Sequence, residues 1–298
     1  MDWFGTQCDQ LRAMFRDFFH PAMIEAIMSL VRPALRLSAG PPDARSRLGG
    51  PPVLPAGTPW PTWGDRALDF IGVIDFGELA SALWLPDLPG AGTVAFYYAT
   101  DLPRPWGDDP TQTDGWRVLP GAGVPAGSAA LPEVRLGASP FVSLPSPHEP
   151  LLRSIGAGAA AFDETYPELY ASWARFTWGD EPRHQTGGWP MVVQRALWPD
   201  CALAAAGHRL DLVSPPAVSQ PSVSPPAVGP SPLGASPVGA SSAALSSAAD
   251  WRLLLQLDSD DRLGWFWGET GFVFFSARAA DVRAGALDRS WLILQATP

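Results

Sequence analysis

Acidic residues near the C-terminal end of the chain are the side chains best able to do chemistry. Asp258, Asp260 and Asp261 follow the apolar segment WRLLLQL, and Glu269 lies eight residues after Asp261. Carboxylates that alternate along a loop can converge on a hard divalent cation, which prefers several oxygen ligands. The same pattern is also typical of a turn that ends a strand, where Asp and Ser bond to their own backbone. The sequence therefore predicts either a metal site at these four residues or a strand-ending turn.

A second group of candidates lies in the His-Gln-Thr-Gly-Gly segment that begins at His184. Histidine can serve as a base, a ligand or a proton switch, and the pair Gly187–Gly188 would let a ligand approach the backbone closely. The alternative is structural: His184 and Gln185 hydrogen-bond to the backbone of an opposing half of the protein and lock the interface. The ligand-binding candidates from both groups are His184, Gln185, Gly187, Gly188, Asp258, Asp260, Trp267 and Glu269.

The tripeptide Trp-Gly-Asp/Glu occurs four times, beginning at Trp63, Trp106, Trp178 and Trp267. An exposed tryptophan can stack on a sugar or a base, and it can anchor a protein partner. In the structural interpretation, each tryptophan covers the core, each glycine takes a left-handed turn and each acid caps the next segment. Because each copy lies between apolar segments, the sequence favours the structural interpretation.

Other catalytic patterns are absent from the sequence. Cys8 and Cys201 are its only cysteines, which excludes a disulfide framework and a cysteine-based zinc site. No Ser or Cys lies in a nucleophile-elbow pattern. Neither Gly-Gly pair has the GxGxxG spacing or the following Lys of a phosphate-binding loop. The sequence therefore leaves any catalytic residue unassigned, and it predicts no cofactor other than a divalent cation at the acidic loop.

Charge and hydropathy limit the partners of the chain. The formal net charge is −10 and the pI is about 4.8, which disfavours binding to nucleic acid. The apolar stretches are interrupted within about a dozen residues, too few to span a bilayer. The first 19 residues lack the order of regions found in a signal peptide. We therefore expect a cytoplasmic protein that binds neither nucleic acid nor membranes.

The elements that must position these side chains are mostly strands. Apolar residues recur at helical spacing over residues 8–31, and residues 34–37 alternate as a short strand does. Apolar runs of strand length follow at residues 68–76, 93–98 and 116–119. Because these runs are nearly continuous, we expect strands that are covered on both faces.

The same order of signals occurs twice along the chain. A Gly-Gly pair precedes an apolar strand that ends in Asp, then an aromatic strand, then a strand that opens with Trp. The corresponding positions are Gly49–Gly50, Asp75, Phe96 and Trp116 in the first half, and Gly187–Gly188, Asp258, Phe274 and Trp291 in the second. The sequence therefore predicts a β-rich α+β fold, made of an N-terminal helix and a duplicated unit with two β-sheet halves in a pseudo-two-fold arrangement.

One segment differs in composition from the rest. Residues 212–249 contain no charged residue and eight prolines, which predicts a disordered Pro/Ala/Ser-rich insertion. The predicted organisation is a helical segment at 1–32 and a duplicated domain formed by 33–211 together with 250–298. Its halves cover about 33–145 and 146–298.

Several motifs of the chain resemble the YwqG-like proteins, a bacterial family whose domain has no known function. They include RLGGPPVLPAGTPWP, HQTGGWPMVVQ at 184–194, and LLLQLDSDD with WFWGETGFVFF. The family pattern usually has an Asp where this chain has Glu269. The resemblance implies a mixed α and β fold with internal duplication, and no established activity. Members found near polymorphic-toxin loci imply an interaction role of the immunity type.

Three functional hypotheses follow. The favoured one is a non-enzymatic protein-binding module of the immunity or stress type, whose acidic surface suits a protein partner with a basic surface. The second is a divalent-cation-dependent enzyme that uses the acidic loop at 258–269. The third is a small-molecule or carbohydrate binder lined by tryptophans. The sequence leaves the oligomeric state open.

Overall fold

Ten antiparallel strands form one large sheet. A computed structural model of the chain describes residues 2–121, 123, 131–156, 160–211 and 248–297. The predicted insertion at 212–249 therefore falls almost wholly outside the described residues. The strands are β1 Arg32–Ala39, β2 Arg47–Gly50, β3 Thr62–Trp63, β4 Arg66–Ala67, β5 Asp69–Asp75, β6 Thr93–Tyr98, β7 Trp116–Pro120, β8 Leu131–Ser143, β9 His184–Gly187, β10 Trp251–Asp258, β11 Gly271–Arg278 and β12 Trp291–Ala296.

The order of the sheet is β12-β11-β10-β9-β1-β8-β2-β5-β6-β7, and β3 and β4 form a separate hairpin. The predicted halves are thus joined in a single sheet through the pairing of β1, in the first half, with β9, in the second. Strands β2, β8 and β9 contain the Gly and Pro residues that favour turns in the sequence, and they are strands because neighbouring strands supply their backbone partners. The predicted β-rich α+β class is confirmed.

Helices surround the sheet, and their bounds are α1 Trp3–Phe15, α2 Pro21–Met28, α3 Phe76–Ala82, α4 Pro150–Gly156, α5 Ala160–Trp178, α6 Leu197–Ala205 and α7 Ala279–Ala284. Pro21 begins α2, where a missing N–H costs nothing and the fixed φ suits a helix. Helices α1, α2, α4 and α5 pack together around an apolar cluster that includes Phe15 and Tyr166. No helix in the described part of the chain is long and apolar enough to cross a membrane.

The two ends of the sheet order approach each other, so that the sheet is nearly closed. Trp116 on β7 donates from Nε1 to the carbonyl oxygen of Ser290 at 3.0 Å, and its ring lies 5.3 Å from that of Trp291 on β12. The backbone N–H of Leu294 donates to the carbonyl oxygen of Trp106 at 2.9 Å. The closing contacts therefore combine aromatic packing with backbone hydrogen bonds.

Buried side chains lie on both faces of the outer strands. Every residue of β12 is buried, as are seven of the eight residues of β11. On the inner face, Phe96 of β6 meets Phe275 of β11 edge-on at 5.1 Å. Helix α6 packs against β10 and β12. The predicted two-sided burial is confirmed for β5 and β6, in which every residue after the first is buried, and it is wrong for β7, where Arg117 and Leu119 are only partly buried.

Closure of the sheet requires a glycine at position 107. Gly107 has a φ of 79°, and a Cβ at this position would collide with the carbonyl oxygen of Leu292 on β12. We expect Gly107→Ala to lower the free energy of unfolding by about 3 kcal/mol, because it combines a left-handed backbone with displacement of β12. Urea denaturation measures this loss.

Gly64→Ala is the matched control. Gly64 also has a positive φ, of 58°, but a Cβ there would meet nothing within 4 Å. Gly64→Ala should lower the free energy of unfolding by about 1 kcal/mol, because only the positive φ disfavours alanine there. Equal losses for the two variants would contradict the closing role of residue 107.

Candidate acidic cavity

The predicted acidic run lines an open cavity of about 720 Å³. One wall is the segment 179–183, which follows α5, and the other is the segment 258–262, which follows β10. The segment 266–272, leading into β11, completes it. Six carboxylates and two guanidinium groups line the cavity, an excess of four negative charges: Asp180, Glu181, Asp258, Asp260, Asp261 and Glu269, with Arg183 and Arg262.

A network around the buried carboxylate of Asp260 fixes the wall formed by residues 258–262. Arg262 binds Asp260 through two contacts, Nε to Oδ1 at 2.9 Å and Nη2 to Oδ2 at 2.7 Å. The Nε2 atom of His184 lies 3.1 Å from Oδ2 of Asp260. The Nδ1 atom of His184 accepts from the backbone N–H of Asp258 at 3.1 Å. Because Nδ1 is an acceptor, the ring proton is on Nε2 and is donated to Asp260. His184 is fully buried and has no access to the cavity.

The two carboxylates of this network have opposite pKa shifts. Burial alone would raise the pKa of Asp260, but hydrogen bonds from His184 and Arg262 outweigh it and hold the pKa well below its ordinary value. Burial raises the pKa of Asp258, and the backbone N–H of Arg183 only partly opposes this effect. Asp260 is therefore ionised and structural at neutral pH.

The segment 258–267 is held as the strand-ending turn that the sequence offers as an alternative. Asp258 Oδ1 accepts from the N–H of Ser259 at 2.8 Å, and Asp260 Oδ1 accepts from the N–H of Arg262 at 3.0 Å. Trp267 is buried, and its ring N–H donates to the carbonyl oxygen of Asp258 at 2.9 Å. The buried ring of Trp267 thus stabilises the turn, and Trp267 does not line the cavity.

The predicted metal ligands share this cavity without converging on one point. Among the described residues, no group of three or more His, Cys, Asp or Glu side chains is placed to hold a metal ion. Both oxygens of Asp260 are already bound to Arg262. Asp261 and Glu269 are exposed on the rim. The cation hypothesis therefore has no preformed ligand set in this part of the chain.

The remaining sequence candidates serve the turn after β9. Gln185 is buried, and its Nε2 donates to the carbonyl oxygens of Gly187 at 3.2 Å and Trp189 at 2.8 Å. Gly187 and Gly188 have φ values of 70° and 65°, and they line a second cavity. The expectation that His184 and Gln185 bond to an opposing half is wrong, because their side chains bond to the neighbouring turn and to β10 of their own half.

All four Trp-Gly-acid tripeptides have the positive-φ glycine that the structural interpretation predicts. Their glycines have positive φ: Gly64 at 58°, Gly107 at 79°, Gly179 at 58° and Gly268 at 138°. Trp178 and Trp267 are buried, and Trp63 and Trp106 are partly buried. These tryptophans therefore contribute mainly to packing.

Sequence reasoning missed several residues of the cavity. Asp180, Glu181 and Arg183 lie far from residue 258 in the sequence, and only the fold brings them opposite it. Phe266 is 65% exposed at the cavity, and the sequence did not predict it either. The signal that could have found the first three is the Trp-Gly-Asp turn at 178–180, which marks the end of α5.

The low pKa of Asp260 predicts a pH-dependent stability contribution. At pH 7 we expect Asp260→Asn to lower the free energy of unfolding by about 3 kcal/mol, because it removes the charge of a buried carboxylate that accepts from His184 and Arg262. The difference from wild type should shrink as the pH falls below about 4, where the unfolded wild-type chain takes up a proton that native Asp260 does not. Urea denaturation between pH 7 and pH 2 measures both effects.

Asp261→Asn serves as the control, because Asp261 is adjacent, exposed and outside any ion pair in the described ranges. It should change stability little at any pH. A loss for Asp260→Asn that is the same at every pH would contradict this role of the Asp260 carboxylate.

Comparison with known proteins gives a family and no function. The family model described as Domain of unknown function (DUF1963) matches residues 46–296. This range contains both walls of the acidic cavity and the second cavity's Gly187–Gly188 turn. No curated protein matches the chain. The chain belongs to the DUF1963 family of domains of unknown function.

Proposed function

We propose that this chain is a non-enzymatic protein-binding module whose acidic cavity receives basic side chains of a protein partner. The observation that carries the proposal is the excess of four negative charges around one open cavity. Acidic surfaces attract basic partners and speed their association. An immunity or stress role, and a place among the YwqG-like proteins, remain predictions from the sequence resemblance.

Three rim carboxylates support this proposal because they are available to a partner. Asp180, Asp261 and Glu269 are exposed, and none of them forms an ion pair within the described ranges. Glu181 meets Arg262 only at 3.9 Å. A guanidinium or ammonium group entering the cavity would therefore find carboxylates that no internal cation neutralises. Such pairs form without breaking an existing one.

An aromatic anchor lies beside these charges. Phe266 is 65% exposed at the cavity, and the carbonyl oxygen of the same residue accepts from Arg104 at 3.1 Å. The next residue, Trp267, is buried and hydrogen-bonded to the turn. Aromatic residues, phenylalanine among them, are enriched in protein–protein interfaces. Hence Phe266 would supply apolar contact while the carboxylates supply orientation.

The two alternative functions have less support. A cation-dependent enzyme at 258–269 would need a ligand cluster, and none occurs among the described residues. A tryptophan-lined carbohydrate site would need exposed indole rings near the cavity. The nearest tryptophan, Trp267, is buried instead.

We also infer that the two halves are copies of one unit, which makes the acidic cavity a feature of the second copy. The strand order supports this inference, because β2, β5, β6 and β7 follow one another on one side of the β1–β8 pair and β9 to β12 follow on the other. Both Gly-Gly pairs end the short strand of their half with positive φ.

Matched hydrogen bonds give further support for duplication. The N–H of Asp75 donates to Ser46 Oγ at 3.0 Å, and the N–H of Asp258 donates to His184 Nδ1 at 3.1 Å. In each case a strand-ending Asp bonds to the side chain that precedes the Gly-Gly pair by three residues. The same hydrogen bond from the strand-ending Asp is thus present in both halves, although the accepting side chain differs, and the acidic cavity lies beside Asp258 of the second half.

A defined basic peptide tests the proposal. We expect a labelled hexa-arginine peptide to bind the wild-type chain in fluorescence anisotropy, and added salt to weaken the binding. The combined variant Asp180→Asn, Asp261→Asn and Glu269→Gln should weaken it at least about tenfold, because three uncompensated charges are removed from one site.

The control variant combines Asp17→Asn, Asp43→Asn and Asp288→Asn, which removes the same charge from positions outside the cavity lining. Equal weakening in both variants would show that the peptide responds only to net charge, and would reject the proposal. A rise in Tm on adding Mn²⁺ or Ca²⁺ that the cavity variant abolishes would favour the cation-dependent enzyme instead.

A further inference from the structure

A second cavity of about 300 Å³ lies at the opposite end of β9 from His184. It is bounded by the start of β1, the turn after β9 and the loop between α3 and β6. Its walls combine apolar side chains such as Leu85 and Leu253 with the guanidinium groups of Arg32 and Arg252. It shares no lining residue with the acidic cavity.

Arg32 is held in this cavity by aromatic stacking rather than by a counter-ion. Its guanidinium carbon lies 3.7 Å from the ring centroid of Trp189 and 4.9 Å from that of Trp198, both buried. Within the described ranges, Arg32 makes no side-chain hydrogen bond and no ion pair. Arg252, by contrast, pairs with Asp87 at 2.7 Å. One guanidinium of the cavity is therefore neutralised and the other is not.

No acid lies within ion-pairing distance of Arg32 in the described ranges. Burial and the nearby Arg252 together lower the pKa of Arg32 to about 10, against the smaller opposing effects of Glu149 and Asp87, so the group is still a cation at neutral pH. The neighbouring acid Glu149 does not pair with it, and burial raises the pKa of Glu149 to about 7. A partly desolvated cation without a partner is costly, and a bound anion would remove that cost.

The cavity is also preorganised. The backbone N–H of Trp189 donates to Ser143 Oγ at 2.9 Å, and the same hydroxyl donates to the carbonyl oxygen of Arg32 at 2.9 Å. The ring N–H of Trp189 donates to the carbonyl oxygen of Leu30 at 2.6 Å. A Cβ on Gly188 would collide with Ser143, so the close approach of this turn depends on glycine. The stacking surface is thus fixed before any ligand arrives.

We propose that this cavity binds a small monocarboxylate with a short apolar body. The planar guanidinium of Arg32 can receive a carboxylate through two parallel hydrogen bonds. Leu85 and Leu253 would contact the apolar body, and the volume is in the range of small-molecule pockets. A single unpaired guanidinium suits one negative charge, whereas a phosphate dianion calls for more donors.

Hexanoate and phenylacetate are the probes, and hexanamide and phenylacetamide are their neutral matches. In saturation-transfer NMR and calorimetry we expect wild-type chain to bind the carboxylates and not the amides. Arg32→Gln should weaken carboxylate binding at least tenfold. Asp87→Asn should instead strengthen it about two- to threefold, because it removes a negative charge from the rim. A gain of affinity cannot come from misfolding.

Arg278→Gln is the matched control, because Arg278 also stacks on a tryptophan, Trp251, at 5.5 Å and does not line the cavity. It should leave carboxylate binding unchanged. Three results would overturn the proposal: equal binding of the amides, binding of inorganic phosphate in preference to hexanoate, or no carboxylate binding by either wild type or Asp87→Asn. Because the probes are anions, their failure is distinct from failure of the acidic cavity to bind a basic peptide.

Discussion

The pairing of β1 with β8 is the contact on which the rest of the structure depends. Eight residue pairs join the strands, from Arg32 opposite Ser143 to Ala39 opposite Leu136. On its other side, β1 pairs with β9, and β8 pairs with β2. Without this central ladder the flanks of the sheet would be two separate groups of strands. It also sets where β9 lies, and β9 connects the two cavities.

Strand β9 is only four residues long, and each of its ends meets a cavity. A strand of this length spans roughly 10 to 13 Å. At its start, His184 binds the acidic turn through Asp258 and Asp260. Beyond its end, the Gly187–Gly188 turn meets the cavity of Arg32. Two surfaces of opposite charge are therefore fixed relative to one another by a short, fully buried segment.

Much of the sheet could be predicted from the sequence, because β5, β6, β10, β11 and β12 are mostly apolar runs of strand length. Strand β8 could not, since Pro132, Gly137 and Pro140 break its pattern. Proline lacks a backbone donor and is rare within sheets. These residues are accommodated because β1 and β2 provide partners for the remaining backbone groups. That information is tertiary and does not appear in local periodicity.

The candidate sites likewise combine residues that the sequence predicts with residues that only the fold brings together. The carboxylates after β10 are adjacent in sequence and could be predicted, whereas Asp180 and Glu181 join them only through the position of α5. Arg32 had no distinguishing signal, because every basic residue of the chain is arginine. What sets it apart is its position over two buried tryptophan rings without a hydrogen bond or ion pair of its side chain within the described ranges, and both depend on the fold. Composition alone does not distinguish Arg32 from the other arginines of the chain.

The contact between β7 and β12 has a consequence for the behaviour of fragments. Trp106, Trp116 and Trp291 cover the last strand at each end of the sheet order. Uncovered edge strands recruit strands from other molecules. A gene fragment encoding one half would lose both its central partner and this aromatic cover, and it would expose backbone donors and acceptors on two sides. Self-association between chains is then the expected fate of a separated half, so the two halves have to be inherited together.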